Sequence, residues 1–299
     1  MLSHTTILGI KIITNAKPDL LAFIVNYLKS QKASKHLKIH TPNPEQIVYA
    51  YEHPEFKEVL NSGDINLPDG VGIEWASKLV GSRQFRPKAD PPLADAVSSK
   101  RLLPAANRPL QTISRIPGVE FMEDLVKLAA QNSWPIGFIG GRNGVAKLAF
   151  EKLQQKYPGL TGWAEEPGEL SLSDLSNLGY LEEKIRLTNT RLVFVGLGAP
   201  KQEYFIAKLS LQFAVCSSQL EEKETAAHCP LPTAHSAVFM SVGGAFDILS
   251  DKIKRAPLLI RTLGFEWLWR LILEPKRFGR QLQLIKFIVL TIRSRFVVK

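Results

Sequence analysis

The segment RLVFVGLGAPKQEYFIAKL, residues 191–209, contains one complete unit of the architecture. RLVFVG (191–196) is a short, unbroken apolar run, as expected of a strand buried on both faces. Gly196, Gly198 and Pro200 interrupt it, and KQEYFIAKL (201–209) continues at helical spacing. The strand–glycine turn–helix order recurs on both sides. LKIHT (37–41) precedes the helix opened by NPEQIVYAYE (43–52), and INL (65–67) precedes PDG and GIEWASKLV. PIGFIG (135–140) precedes VAKLAFEKLQQKY (145–157), and SAVFMSVG (236–243) is a further strand. TTILGIKI (5–12) reads as one strand, with PDLLAFIVNYLKS (18–30) and VEFMEDLVKLAAQ (119–131) as helices. Strands alternating with helices at this spacing predict an α/β fold, a mainly parallel sheet covered by helices on both faces. Ligands of such sheets bind beyond the carboxyl ends of the strands.

The 299 residues, 45% hydrophobic and 22% charged, suffice for one large core with an appendage. The net charge of +10 is unevenly placed. Residues 250–299 hold 12 Lys and Arg against 3 acidic residues, a net of +9, which leaves residues 1–249 at +1. The expected division is a core over 1–249 and a basic appendage over 250–299, of the kind that meets an anionic surface. Two stretches break the rhythm and read as surface insertions: 82–114, with five of the 19 prolines, and 210–235, polar and irregular. MLSHTTILGI lacks the basic head of a signal peptide, and no apolar run reaches the length of a membrane span. Cys216 and Cys229 read as two free thiols of a reduced compartment.

Four strand ends carry chemistry-bearing residues. Asp69 follows INL and Pro68, with Gly70 and Gly72 leaving room beside it; Asp-Gly is also an ordinary turn or helix cap. Thr41 and Asn43 follow LKIHT, with Gln46 placed for a capping box. Gly140, Gly141, Arg142, Asn143 and Gly144 join a strand to a helix, a way to present N–H groups to phosphate. Gly196 and Gly198 allow close approach, while Lys201 and Gln202 supply donors. Lys201 occupies the place of the third glycine of a dinucleotide fingerprint, which disfavours NAD and favours another phosphate-bearing ligand. There is no H-E-x-x-H, G-x-S-x-G, C-x-x-C or D-x-D, so neither a metal nor another cofactor is expected.

Taken together these pieces resemble the WecG/TagA/CpsF glycosyltransferases, glycosyltransferase family 26. The resemblance runs through TPNPEQIV (41–48), LPDGVGIEWASKLVG (67–81), RIPGVEFMEDL (115–125), GFIGGRNGVA (137–146) and YPGL (157–160). It continues through LVFVGLGAPKQE (192–203), SVGGAFDILS (241–250), KRAP (254–257) and LGFEWLWRLILEPKRFGRQ (263–281). It implies a Rossmann-like core and a metal-independent, inverting transfer from a UDP-sugar to a polyprenyl-diphosphate-linked sugar. The sugar implied is N-acetylmannosamine or a related hexose, and the setting is cell-surface polysaccharide or teichoic acid synthesis. The enzyme would lie on the cytoplasmic face of a bacterial plasma membrane, attached through residues 250–299. Asp69 matches the general base, and Thr41 and Asn43 match polar residues flanking it. Gln202 matches a residue near the donor sugar, and Arg115 one that stabilises charge on the leaving UDP. Arg270, Arg277 and Arg280 match basic tail residues that would meet lipid phosphates or the acceptor diphosphate; on one continuous helix they would share a face. Trp267, Trp269 and Phe278 suit a membrane interface. A non-catalytic nucleotide- or nucleic-acid-binding protein is the alternative, but no nucleic-acid motif supports it. A tail that serves self-assembly into a homo-oligomer stays open, as do the donor sugar and the polymer.

Overall fold

The computed structural model describes residues 2–30, 36–81, 113–168, 171, 172, 174, 179–222, 236–262, 266–273 and 278–296. Its first element departs from the single strand expected over 5–12. β1 (His4–Ile7) and β2 (Ile10–Ile13) form a separate antiparallel hairpin. Leu8 and Gly9 both take positive φ, 49° and 85°, as a two-residue hairpin turn requires. A leucine in that conformation leaves no turn signal in the sequence.

The main sheet comprises β3 (Leu37–His40), β4 (Ile65–Asn66), β5 (Ile136–Gly140), β6 (Gly162–Glu165), β7 (Leu192–Gly196) and β8 (Val238–Ser241). All its pairings are parallel, in the order β4-β3-β8-β7-β5-β6. Side-chain alternation along each strand divides the core in two. Leu192, Phe194, Val238, Met240 and Phe138 pack on one face with Leu20 and Ile24 of α1 (Lys17–Lys29), Phe121 and Leu125 of α5 (Gly118–Asn132), and Phe150 of α6 (Val145–Lys156). Val193, Val195, Phe239 and Ile139 pack on the other with Leu181 of α7 (Gly179–Leu187) and Phe205, Ile206 and Leu209 of α8 (Lys201–Glu222). Helices therefore cover both faces. Edge strand β6 and helix α7 were not marked in the sequence, because β6 is half-exposed and carries only Trp163 as a large apolar residue. Trp163 is held by bonds from its Nε1 to the hydroxyls of Thr188 and Thr190, at 3.0 and 2.9 Å.

A third cluster lies under the hairpin. It joins Ile7, Ile10 and Ile12 to Ile47 of α2 (Pro44–Glu52), Phe56 of α3 (Pro54–Asn61), Ile73 of α4 (Val71–Gly81) and Phe287 of the last helix. After the short α9 (Ala245–Leu249), the C-terminal region is helical: α10 (Leu258–Thr262), α11 (Glu266–Leu273) and α12 (Phe278–Phe296). α12 lies against α2 and α4, with Phe287 and Thr291 wholly buried. A methyl group added at Gly72 would stand 2.9 Å from the Pro44 ring and 3.4 Å from Leu284, so three helices meet at a glycine. The insertion expected from 210 onward begins as helix, since α8 runs to Glu222; 223–235 lie outside the described residues, as do 82–112 of the other insertion.

Candidate active site

The winding of the sheet turns at β3. From it the chain goes outward to β4, while β8, its neighbour on the other side, ends in a turn that leads to α9 and toward α5 and α6. Strand ends whose connections diverge leave a crevice between them. Thr41 follows β3, and the Val242–Gly244 turn follows β8, its neighbour.

Local chemistry fixes each side chain there. Asn43 caps α2 in a reciprocal box: its Oδ1 accepts from the Gln46 N–H at 2.9 Å, and Gln46 Oε1 accepts from the Asn43 N–H at 3.0 Å. The capping reading of the sequence holds. The Thr41 hydroxyl donates to the Ser241 carbonyl at 3.2 Å, tying β3 to β8. Asp69 follows Pro68, whose carbonyl accepts from the Ile116 N–H at 3.0 Å, so the 113–117 segment runs beside the PDG turn. That contact delivers Gly118, the first residue of α5, between the two candidate side chains. A methyl at Gly118 would stand 3.1 Å from Thr41 Cγ2 and 3.7 Å from Asp69 Oδ2. Thr41 and Asp69 therefore converge, 28 positions apart in sequence, beside the N-terminus of a 15-residue helix. Helix N-termini favour negative charge, including that of a carboxylate.

Gln202 lies close by but is almost wholly enclosed, at 2% exposure. Its Oε1 accepts from the Gly243 N–H at 3.0 Å, and its Nε2 donates to Glu203 Oε1 at 2.7 Å. Gln46 Nε2 donates to the same oxygen at 2.9 Å. Burial pushes the Glu203 carboxyl up to about 7, against the pull of these amide hydrogen bonds. Glu203 was not singled out in the sequence. The signal was available: with Ile206 and Ser210 it occupies one buried face of α8, where a carboxylate needs partners. Gly118 was missed too, because only the fold brings it to Asp69.

Arg115 turns toward the C-terminal region. Its Nη2 donates to Glu266 Oε2 at 2.8 Å and its Nη1 to the Arg261 carbonyl at 3.4 Å. Glu120 accepts from Arg255 at 2.8 Å and from Arg261 at 3.3 Å, completing a cluster of three arginines and two glutamates. Arg277 lies outside the described residues, as do the side chains of Arg270 on α11, and of Phe278 and Arg280 on α12. Trp267 is exposed, and Trp269 Nε1 donates to the Lys254 carbonyl at 3.2 Å.

The glycine turn after β5 has its own internal partner. Glu166 accepts from the N–H groups of Gly144 and Ala146 at 2.9 and 3.0 Å. A side chain at Gly140 would stand 2.6 Å from the Gly196 carbonyl oxygen, and the Gly141 N–H donates to that carbonyl at 3.1 Å. Close strand packing thus accounts for Gly140, a methyl at Gly141 would stand 3.2 Å from the Ala146 nitrogen of α6, and a carboxylate already meets the N–H groups beyond them. Gly196 is similarly tight, its added methyl 2.7 Å from Phe246, whereas Gly198, with φ 76°, faces open space beside Lys201. Among the described residues no three His, Cys, Asp or Glu gather as a metal site, and no helix is long and apolar enough to cross a membrane.

The chain is 28% identical over 274 residues to N-acetylglucosaminyldiphosphoundecaprenol N-acetyl-beta-D-mannosaminyltransferase of Staphylococcus aureus strain NCTC 8325 / PS 47, covering 92% of this chain and 86% of that protein. The proteins of the same name from strains COL and MRSA252 match with the same identity and coverage. The profile of the Glycosyl transferase WecG/TagA/CpsF family matches residues 5–92 and 83–299. With nearly its whole length matched, this chain belongs to the WecG/TagA/CpsF family of glycosyltransferases.

Proposed function

We propose that this glycosyltransferase moves N-acetylmannosamine, or a related hexose, from a UDP-sugar to a lipid-diphosphate-linked sugar in the synthesis of a bacterial surface polymer. The observation that carries the reading is the meeting of Thr41 and Asp69 at Gly118, beyond the carboxyl ends of β3 and β4. The printed activity of the Staphylococcus aureus relatives supports the choice of sugar and acceptor. The same family match disfavours a non-catalytic nucleic-acid-binding role.

In this reading the acceptor hydroxyl attacks the anomeric carbon of the donor. A bond forms from that oxygen to C1 while the C1–O bond to UDP breaks, and UDP leaves with the electron pair. The hydroxyl proton passes to Asp69 as the new bond forms, which lets a carboxylate of modest basicity serve. Thr41 and Asn43 orient the sugars. Gln202 acts from behind, by holding the Gly243 turn, and Lys201 and Gly198 border the open side where the donor phosphates fit. Arg115 is assigned to charge on the leaving group; its bond to Glu266 makes its availability depend on α11.

Attachment to the cytoplasmic face of a membrane, without a span, completes the proposal. α12 exposes Leu282, Ile285, Val289 and Ile292 at alternating spacings of three and four, beside the exposed Arg293. Leu259, Trp267, Leu268 and Ile272 are exposed on the neighbouring helices. Apolar stripes flanked by cations suit an anionic lipid surface. The decisive assay incubates the purified chain with a short-chain lipid-diphosphate-GlcNAc analogue and each UDP-sugar, with UDP release as readout. Asp69→Asn is expected to lower kcat by about 10²- to 10⁴-fold while thermal unfolding stays cooperative. Full activity in that variant removes Asp69 as the base.

A further inference from the structure

One buried carboxylate stands at the centre of a hydrogen-bonded chain that crosses three adjacent strand ends. The chain runs from Asn43, after β3, through Gln46 to Glu203 on α8, which follows β7. From there it passes through Gln202 to the Gly243 N–H, after β8. Gln46, Gln202 and Glu203 are 7%, 2% and 0% exposed. Glu203 Oε2 and the Ser241 hydroxyl are each buried without a closed hydrogen bond, yet Ser241 is near enough to favour the ionised carboxyl.

Glu203 decides how both amides are turned. An amide has a donor end and an acceptor end, and apolar packing scarcely distinguishes them. The shared Oε1 draws Nε2 of Gln46 and Nε2 of Gln202 toward itself. Each amide must then present its oxygen on the far side, one to the Asn43 N–H and the other to the Gly243 N–H. Without that acceptor two buried N–H groups lose their partner, and either amide can rotate to repair the loss. Such a rotation releases Asn43 after β3 or the Gly243 turn after β8.

We propose that Glu203 is a positioning residue for sugar transfer: it sets the orientation of the Gln46 and Gln202 amides and through them holds Asn43 and the Gly243 turn in register beyond the ends of β3 and β8, next to the place where Thr41 meets Asp69. The proposal rests on the transferase reading above. It assigns Glu203 no contact with substrate.

The test uses the full chain and two substitutions. Glu203→Leu fills the space but offers no acceptor; Glu203→Gln keeps an oxygen in the same place. Two measurements are made: kinetics of UDP release, which give kcat and donor KM, and hydrogen exchange at the Gly243 amide. Glu203→Leu is expected to lower kcat by about 100-fold, with donor KM moved by less than about tenfold, because small displacements of reacting groups are costly. Gly243 exchange is expected to accelerate by at least about tenfold while β5 amides hold their protection. Glu203→Gln is expected to return both kcat and Gly243 exchange to within about fivefold of wild type, and adding Gln202→Leu to Glu203→Leu is expected to cost less than the product of the two single effects. If Glu203→Leu does not fold, Glu203→Asp, too short to reach both amides, takes its place with the same readouts. Wild-type kcat and unchanged Gly243 exchange in the acceptor-less variant overturn the proposal, as does a Glu203→Gln protein as impaired as Glu203→Leu. A wild-type chain that releases no UDP from any UDP-sugar defeats the transferase reading instead, and the exchange measurement then decides the role of Glu203 alone.

Discussion

Gly118 shows how much a single side chain would disturb the site. Its backbone does not require glycine, since its φ is not positive. What requires it is the 3.1 Å from an added methyl to Thr41 Cγ2 and the 3.7 Å to Asp69 Oδ2. Gly118→Ala is therefore expected to lower kcat by about tenfold or more while moving the unfolding midpoint little, because alanine is the better helix residue and offsets part of the crowding. Unchanged kcat would place Thr41 and Asp69 outside the chemistry that Gly118 shapes. Away from the site, His40 is a buried ring on β3 with neither nitrogen hydrogen-bonded, held neutral by burial and by Lys38, with its pKa lowered to about 3. Its contribution to stability is present above about 6.5 and is lost as pH falls toward 3, since only the unfolded chain takes up the proton in that window. Glu203 has the opposite sign. Its pKa is raised to about 7, so its contribution is full below the ordinary glutamate value and is lost as pH rises through 7. The two slopes cancel between about 4.5 and 6.5, leaving His40 to act below that range. Urea unfolding across pH is expected to show His40→Leu gaining on wild type from about pH 6.5 downward, by a few kcal/mol at the acid end, on the order set by its shift. A gap between the two proteins that does not change with pH counts against this account.

At the scale of elements, the C-terminal helices are fastened to the core by two different means. α12 is held by apolar packing, through Phe287 in the cluster with Ile47 and Ile73. α10 and α11 are held largely by charge, through Arg115, Glu120, Arg255, Arg261 and Glu266. Arg115 and Glu266 are only 16% and 18% exposed, so their ion pair is screened less than a surface pair. Removing its acid leaves a part-buried guanidinium short of an acceptor, and the Nε atoms of Arg115, Arg255 and Arg261 already lack one. Glu266→Ala is expected to loosen α10 and α11 by about 1–3 kcal/mol. Limited proteolysis would then cut faster between 254 and 273, with the strands still protected from hydrogen exchange. Unaltered cleavage would show that the ion cluster does not fasten these helices. The strand–helix units were legible in the sequence because buried strands must be apolar and helices must keep one apolar stripe. The hairpin turn was not, since a leucine rather than a turn residue precedes Gly9, nor was the extension of α8 to Glu222, which lies in a polar, irregular stretch of sequence.

For the whole molecule, the exposed apolar residues of α10, α11 and α12 collect in the region that carries the excess positive charge. Replacing Leu282, Ile285, Val289 and Ile292 together by serine is expected to reduce sedimentation with anionic vesicles by about tenfold or more. Turnover with a soluble short-chain acceptor should stay within about threefold, because these side chains point away from α2 and α4. Undiminished vesicle binding by the fourfold variant would mean that α12 is not the lipid-facing surface. The packing of α12 against α2 and α4 also brings the last helix near Asp69, since Leu284 reaches Gly72, three residues after it.

The sequence alone determined the fold class, the four strand ends that carry polar groups, the family and the separation of a basic tail from a nearly neutral core. Each of these follows from local pattern: apolar periodicity, turn residues and charge composition are properties of neighbouring positions. Only the tertiary structure decided which strand ends meet. It brought the 113–117 segment beside β3 and β4, so that Thr41, Asp69 and Gly118 converge, while Gly140 packs against β7 and Glu166 takes the N–H groups that follow it. It also made Glu203 the shared acceptor of two amides drawn from separate helices. Strand order and amide orientation depend on contacts between residues far apart in the chain, and no local pattern of residue types encodes them.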